Sequence, residues 1–243
     1  MKHLKFSVFL FLLALFCTVA SRSSVHQSTD DSQYISYIVD PKKAEIKMYL
    51  KDANGTTFGS LGNLNSYLTG QHKKLLLAMN GGMYMENRSP LGLYVENGET
   101  KSRLNTSSGS GNFYLKPNGV FYILKDRTAR ITATGAFRPS VNIQYATQSG
   151  PLLLVDGKIH SSFKQGSSNL NIRNGVGILP DGRVVFAMSK AGVSFYDFAE
   201  YFKNLGCKDA LYLDGFVSRT YCPEKNWIQT DGNFGVIIGI TEK

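Results

Sequence analysis

The chain has 243 residues, 42% of them hydrophobic and 19% charged, and its 27 Lys and Arg against 18 Asp and Glu leave a formal charge of +9. That hydrophobic content excludes a disordered polyelectrolyte, and a β-rich fold of this length fits in one domain. The basic residues are scattered rather than gathered into a tract, so no nucleic-acid partner is expected; the positive balance suits an anionic ligand or plain solubility.

Met1-Lys2-His3-Leu4-Lys5 reads as a basic leader, Phe6 to Phe16 as an apolar run broken only by Ser7, and Thr18-Val19-Ala20 as a small-residue cleavage site. Residues 1–20 are therefore expected to be a secretory signal peptide. The run is shorter than the ~20 residues that span a bilayer, so no permanent membrane anchor is expected. The protein is expected to be exported, periplasmic or secreted, with a charge of about +7 once Lys2 and Lys5 have left. Cys17 leaves too, and in an oxidising compartment Cys207 and Cys222 become candidates for a disulfide. A bridge across that roughly 15-residue loop would contribute about 3 kcal/mol in the chain-entropy model; otherwise each cysteine serves as a small buried hydrophobe.

Residues 21–33 are polar and read as a flexible linker to a folded body over 34–243. Tyr34 to Val39 and Ala44 to Leu50 are expected as strands, the second alternating as a half-buried strand does. A weak helical pattern follows over Leu61 to Leu68. Further strands are expected over Leu75 to Met79, Leu91 to Val95, Gly119 to Leu124, Arg130 to Thr134, Leu152 to Val155, Val176 to Leu179 and Val184 to Met188. Asp156-Gly157 and Pro180-Asp181-Gly182 mark hairpin turns. The strongest helix is Phe195 to Leu205, capped by Ser194 with Asp197 three residues on and stopped at Gly206. Its face of Phe195, Phe198, Ala199, Phe202 and Leu205 is core. Ala210 to Leu213 and Phe234 to Ile240 complete the strands. No strand-helix repeat supports a doubly wound sheet, and the fold class expected is α+β: a single domain dominated by mixed or antiparallel sheet with a few flanking helices.

Chemistry is sought where apolar strands run into polar loops. Leu211-Tyr212-Leu213 delivers Asp214 into Gly215, with Ser218 and Arg219 close behind; the alternative is an ordinary Asp-Gly turn. Leu75 to Met79 runs into Asn80-Gly81-Gly82-Met83-Tyr84, whose free amides could hold an oxyanion, or which is only a glycine turn. Gln148-Ser149-Gly150-Pro151 offers amide and hydroxyl groups suited to a sugar. Arg173 opens the strand at Asn174-Gly175-Val176, where a guanidinium could take two phosphate oxygens, or else form a surface ion pair. Glu86 is a second carboxylate, of the kind glycosidic hydrolysis uses in pairs. His26, His72 and His160 have no ligand-pair spacing and the chain has no G-x-S-x-G elbow. No cofactor is therefore indicated, although a hard cation such as Ca²⁺ on backbone and carboxylate oxygens stays open.

Taken in order, Asn80-Gly81-Gly82-Met83-Tyr84, Ser89-Pro90-Leu91-Gly92-Leu93-Tyr94, Lys116-Pro117-Asn118-Gly119-Val120-Phe121, Gln148-Ser149-Gly150-Pro151, Arg173-Asn174-Gly175-Val176-Gly177, Leu213-Asp214-Gly215 with Ser218, and Phe234-Gly235 resemble the phosphodiester glycosidase family, the relatives of the lysosomal uncovering enzyme, and most of all its bacterial exported branch. The resemblance covers roughly residues 75 to 240. It implies hydrolysis between an anomeric carbon and a phosphodiester on a mixed α/β scaffold, with a sugar phosphodiester or phosphorylated glycan as partner. On that reading Asp214 is base or nucleophile, Glu86 a second carboxylate, Arg173 with the Gly81 and Gly82 amides a phosphate cradle, and Asn80, Gln148, Ser149, Gly150 and Ser218 substrate-orienting groups. Family members often carry a Gly-rich run after the aspartate, where this chain has Phe216 and Val217, which bears on the sugar preference. The other functional class is a non-catalytic exported module that binds anionic cell-envelope glycans.

Overall fold

The computed structural model describes residues 32–214 and 217–243. The expected signal peptide, most of the linker, and Gly215 and Phe216 lie outside the described residues. In chain order the elements are β1 (Tyr34–Val39), β2 (Glu45–Tyr49), α1 (Leu61–Gly70), β3 (Leu75–Asn80), β4 (Tyr94–Glu96), β5 (Glu99–Ser102), β6 (Gly119–Leu124), β7 (Ala129–Ala133) and β8 (Ile143–Ser149). They continue with β9 (Leu152–Val155), β10 (Lys158–Ile159), β11 (Asn174–Ile178), β12 (Val184–Ser189), α2 (Phe195–Asn204), β13 (Asp209–Tyr212), β14 (Thr220–Cys222), β15 (Trp227–Ile228) and β16 (Ile237–Thr241).

The strands form three sheets, in the orders β1-β12-β11-β13-β9-β10, β15-β14-β3-β16-β2 and β5-β4-β8-β6-β7. Each ladder among the described residues is antiparallel, so the expected mostly-β, α+β class holds and its sheets are of one kind. All three turn an inner face to one core. Ile35, Val176 and Leu211 from the first meet Met48, Leu77 and Ile238 from the second and Tyr94, Phe121 and Tyr145 from the third.

The outer faces are covered separately. Helix α2 lays Phe198, Ala199 and Phe202 on the first sheet, against Leu153, Val185 and Ala210. Its N-terminus carries the Ser194 cap and acidic N3 partner read from the sequence: the Asp197 amide donates to Ser194 Oγ at 3.1 Å, and that hydroxyl donates to Asp197 Oδ2 at 2.7 Å. Helix α1 places Leu61, Leu64 and Leu68 on the second sheet, and Phe137 with Leu104 closes the third. A sheet buried on both faces needs continuous apolar strands, and β12 is buried at each of its six positions. Gly177 on β11 faces α2, where a Cβ would lie 2.7 Å from Phe202 and 2.8 Å from Cys207 Sγ; only glycine lets the helix come this close.

The cysteines do not form the candidate disulfide. Cys207 packs under α2, whereas Cys222 belongs to the inner core. Each fills its own apolar site, and burial pushes the Cys207 thiol up to about 12. Among the described residues no helix is long and apolar enough to cross a membrane.

Candidate functional site

Strand periodicity decides which side chains meet. On β11, Asn174 lies on the same face as core residue Val176, so its side chain points inward, across to the end of β3. There Asn174 Nδ2 donates to the backbone oxygen of Asn80 at 2.9 Å and to Asn80 Oδ1 at 3.0 Å. Asn80 Oδ1 also accepts the Arg219 amide at 3.0 Å, and Asn80 Nδ2 donates to the carbonyl of Asp214 at 2.7 Å. That carbonyl accepts Ser218 Oγ at 3.3 Å, while the Asp214 amide donates to Asn174 Oδ1 at 3.0 Å. Just before it, Leu213 donates its amide to the Asn174 carbonyl at 3.1 Å and accepts a hydrogen bond from Ser149 Oγ on its own carbonyl. Asn80, Ser149, Asn174 and Ser218 are each at most 2% exposed.

The product of this knot is a fixed main chain at Asp214, whose residue remains partly exposed. Tyr84 stands beside it. Burial first, and then the charge of Asp214, raises the pKa of the Tyr84 hydroxyl, with Arg88 acting in the opposite sense. The Tyr84 ring is packed on Gly235, where a Cβ would come within 2.7 Å of Tyr84 Cβ. This explains the glycine of the Phe234-Gly235 pair in structural terms.

The structure therefore brings Asn80, Ser149, Ser218 and Asp214 together, but the first three hold the protein's own backbone. Gln148 has a different task. Its Oε1 accepts the Leu93 and Asn105 amides at 3.0 and 2.9 Å, and its Nε2 donates to the Asn105 carbonyl and Thr134 Oγ1 at 2.7 and 3.1 Å. Both lone pairs and both hydrogens are used at 1% exposure, which corrects its expected place among substrate contacts. The Gly81 amide donates to the Val236 carbonyl at 2.8 Å, so it too is withdrawn from the expected cradle. Gly82 is a close-approach position, since a Cβ there would lie 2.2 Å from Thr147 Oγ1. Gly150 is tucked against Asn118, where a Cβ would be 2.5 Å from its side chain.

Arg173 sits in a different setting from the expected phosphate cradle. It is 1% exposed, and its side chain is on the α2 side of the first sheet. Nε donates to the Val193 carbonyl at 2.9 Å, Nη2 to the Asn169 carbonyl at 3.0 Å, and the guanidinium lies 3.6 Å over the Phe195 ring and 5.7 Å from that of Tyr212. Burial lowers its pKa, with Tyr212 opposing. These contacts engage Nε and Nη2 and lay the guanidinium plane on an aromatic face. It is the end of a stack in which His160, Phe163 and Phe195 follow at 4.7 and 4.9 Å.

Glu86 is exposed at the tip of the 84–90 hairpin and shares no hydrogen bond or ion pair with the knot among the described residues. Val217 packs in the cluster beneath α1. Among the described residues no group of three His, Cys, Asp or Glu could hold a metal ion. Asn174 and Tyr84 are the residues that sequence reasoning left out of the site. The signal for Asn174 was a lone amide at the mouth of an otherwise apolar, glycine-spaced strand.

A family model for phosphodiester glycosidase matches residues 73–237. The Escherichia coli K12 protein described as uncharacterized protein YigE is 42% identical over 211 residues, covering 86% of this chain and 82% of that one. The zebrafish N-acetylglucosamine-1-phosphodiester alpha-N-acetylglucosaminidase catalytic domain, auto-inhibited by its pro-peptide, superposes with a TM-score of 0.52 at 16% identity, over 89% of this chain and 86% of that one. A protein from Burkholderia pseudomallei gives 0.57 at 12% identity, over 85% and 73%. A hypothetical protein from Synechocystis gives 0.53 at 14% identity over 86% of this chain, which spans 59% of that structure's length. At these identities the structural likeness is one of fold.

Proposed function

The chain belongs to the phosphodiester glycosidase family, and from that premise we propose that it is an exported hydrolase that cleaves the bond between a sugar anomeric carbon and a phosphodiester, releasing sugar and phosphomonoester. The observation that carries this reading is the clamp on Asp214. Four buried polar side chains from separate elements are spent on the main chain at residues 213 and 214, and the group they position is one carboxylate at a core-to-loop edge.

In this reaction a phosphate ester leaves, and it is a far better leaving group than a sugar alkoxide, so little protonation is needed. Asp214 acts at the anomeric carbon, as nucleophile or as base toward water. The Tyr84 hydroxyl, kept protonated by burial and by the charge of Asp214, is a donor available beside the carboxylate. Arg173 contributes at a distance by fixing Phe195 and Tyr212, the latter two residues before Asp214.

The test is release of free sugar and phosphomonoester from a panel of sugar-1-phosphodiesters by wild type and Asp214→Asn, each with and without a chelator. Loss of about 10²- to 10⁴-fold in turnover is expected for the variant. Undiminished turnover would remove Asp214 from the chemistry. Tight phosphodiester binding without cleavage by either protein would replace the hydrolase with a glycan-binding module.

A further inference from the structure

Basic residues that lie scattered in the sequence are gathered at one end of the fold, and strand register says which end. On β1, Tyr34 pairs with Ser189 and Val39 with Val184, while β11 sets Asn174 against Met188, so β1 begins level with the Asp214 knot and runs away from it into the 40–43 turn. On β6, Gly119 pairs with Ser149, the residue bonded to the Leu213 carbonyl, so this strand too leaves the knot and ends at the 125–128 turn. On β16, Ile237 lies opposite Asn80 and Thr241 opposite Leu75 at the far end. Strands of this length put about 15–20 Å between the two ends.

At the far end the three segments meet. Arg127 Nη1 donates to the Lys42 carbonyl at 3.4 Å, and Lys243 Nζ donates to the same oxygen. Each turn engages its own acid: Asp40 Oδ1 accepts the Lys42 amide at 2.9 Å, and Asp126 Oδ1 accepts the Thr128 amide at 2.8 Å. The Thr128 hydrogen bonds first, and then the charges of Lys42 and Arg130, hold the Asp126 carboxyl below its usual range, which places both cations at this tip. Lys42, Lys125, Arg127 and Arg130 are exposed and have no ion-pair partner among the described residues. Lys43 reaches Asp40 only at 4.0 Å, with 85% of its side chain in solvent.

We infer that this basic pole docks the protein on an anionic phospholipid surface, through Lys42, Lys43, Lys125, Arg127 and Arg130. Long basic side chains on projecting turns gain from a sheet of negative headgroups one by one, and the attraction fades within a Debye length. The two turns do not suit a nucleic acid: residues 40–43 and 125–130 hold no aromatic side chain for a base to stack on and no helix to enter a groove. Docked in this way, the molecule turns its Asp214 end away from the lipid. That orientation bears on the hydrolase reading, but the docking does not rest on it.

The experiment is co-sedimentation of the full chain with vesicles of phosphatidylglycerol and phosphatidylcholine in equal parts, against phosphatidylcholine alone, at low and high salt. Binding in excess on the anionic vesicles, lost at high salt, is expected. Lys42→Glu with Arg127→Glu should lower that partition at least about tenfold. Lys43→Glu, Lys125→Glu and Arg130→Glu together serve if a change at the left-handed Arg127 impairs folding. Arg103→Glu with Lys164→Glu, the same change of net charge on exposed residues toward the knot, should leave it as it was. Residues 1–20 are common to every variant and cancel in the comparison. No excess on anionic vesicles, or an equal loss in the control pair, would overturn the inference. So would retention of a single-stranded oligonucleotide in place of vesicles, which would make the pole a nucleic-acid surface. Turnover on a soluble substrate should be the same in wild type and pole variants, so failure of the hydrolase reading shows in the cleavage assay and not here.

Discussion

Asn174 Nδ2 reaches both acceptors of a single residue, the main-chain oxygen and the side-chain Oδ1 of Asn80, across 94 positions of sequence. This contact joins the first sheet to the second at the point where Asp214 leaves the core. Removing it by Asn174→Ala takes a donor from Asn80, whose Oδ1 keeps the Arg219 amide, and orphans the buried amide of Asp214, at about 1–3 kcal/mol. We expect a lower urea midpoint and, in the cleavage assay, a larger fall in kcat than rise in KM. Asn174→Asp, which turns an acceptor toward two acceptors, should be worse than alanine; equal stability of all three proteins would refute the account.

Tyr84→Phe keeps the ring that packs on Gly235 and deletes only the hydroxyl that senses Asp214. Stability should change by less than about 1 kcal/mol. Turnover on a sugar phosphodiester should drop about 10- to 100-fold. An unchanged rate would reduce Tyr84 to a packing residue.

His160 gives the fold a pH dependence with a definite sign. The Ser162 amide donates to its Nδ1 at 3.1 Å, so the neutral ring carries its proton on Nε2 and donates to the Lys116 carbonyl at 3.0 Å. Protonating Nδ1 would face N–H against N–H, and burial lowers the pKa below the ordinary 6.5. The unfolded chain therefore takes the proton first. The stabilising contribution is complete above about pH 6.5 and is lost as pH falls through the folded value. Thermal unfolding followed from pH 7.5 to 5 should show this loss, and His160→Gln should flatten it while lowering stability at pH 7.5.

The buried cysteines predict chemical inertness. With the Cys207 thiol pushed up to about 12 and Cys222 0% exposed, a thiol-disulfide reagent at pH 8 should modify neither until denaturant is added. A reducing agent should leave the melting temperature where it was. A drop on reduction would reinstate a bridge between them.

Much of this architecture is legible in the residues. β1, β6 and β9 begin and end where alternation and turn signals place them, and α2 is announced by its cap. β8 escaped because Thr147, Gln148 and Ser149 are polar yet buried, with Gln148 and Ser149 satisfied by residues outside the strand. Hydropathy cannot register a polar strand whose partners are tertiary. The same blindness governed the site. Asp214 stands out as a carboxylate closing an apolar run, but a buried arginine stacked on Phe195 and one left without an ion pair at residue 88 look alike as letters.

The position of β16 has a kinetic meaning. This strand, from residues 237–241, is inserted between β3 and β2, elements formed by residues 75–80 and 45–49, and the Val236 carbonyl just ahead of it receives the Gly81 amide. A nascent chain lacking those late residues would have a second sheet split down its middle, and the end of β3, with Asn80, would have no anchored place to stand. Loop closure over such separations is slow. The main chain at Asp214 is thus anchored in the last steps of folding, and a chain released before residue 236 would be an unfinished scaffold.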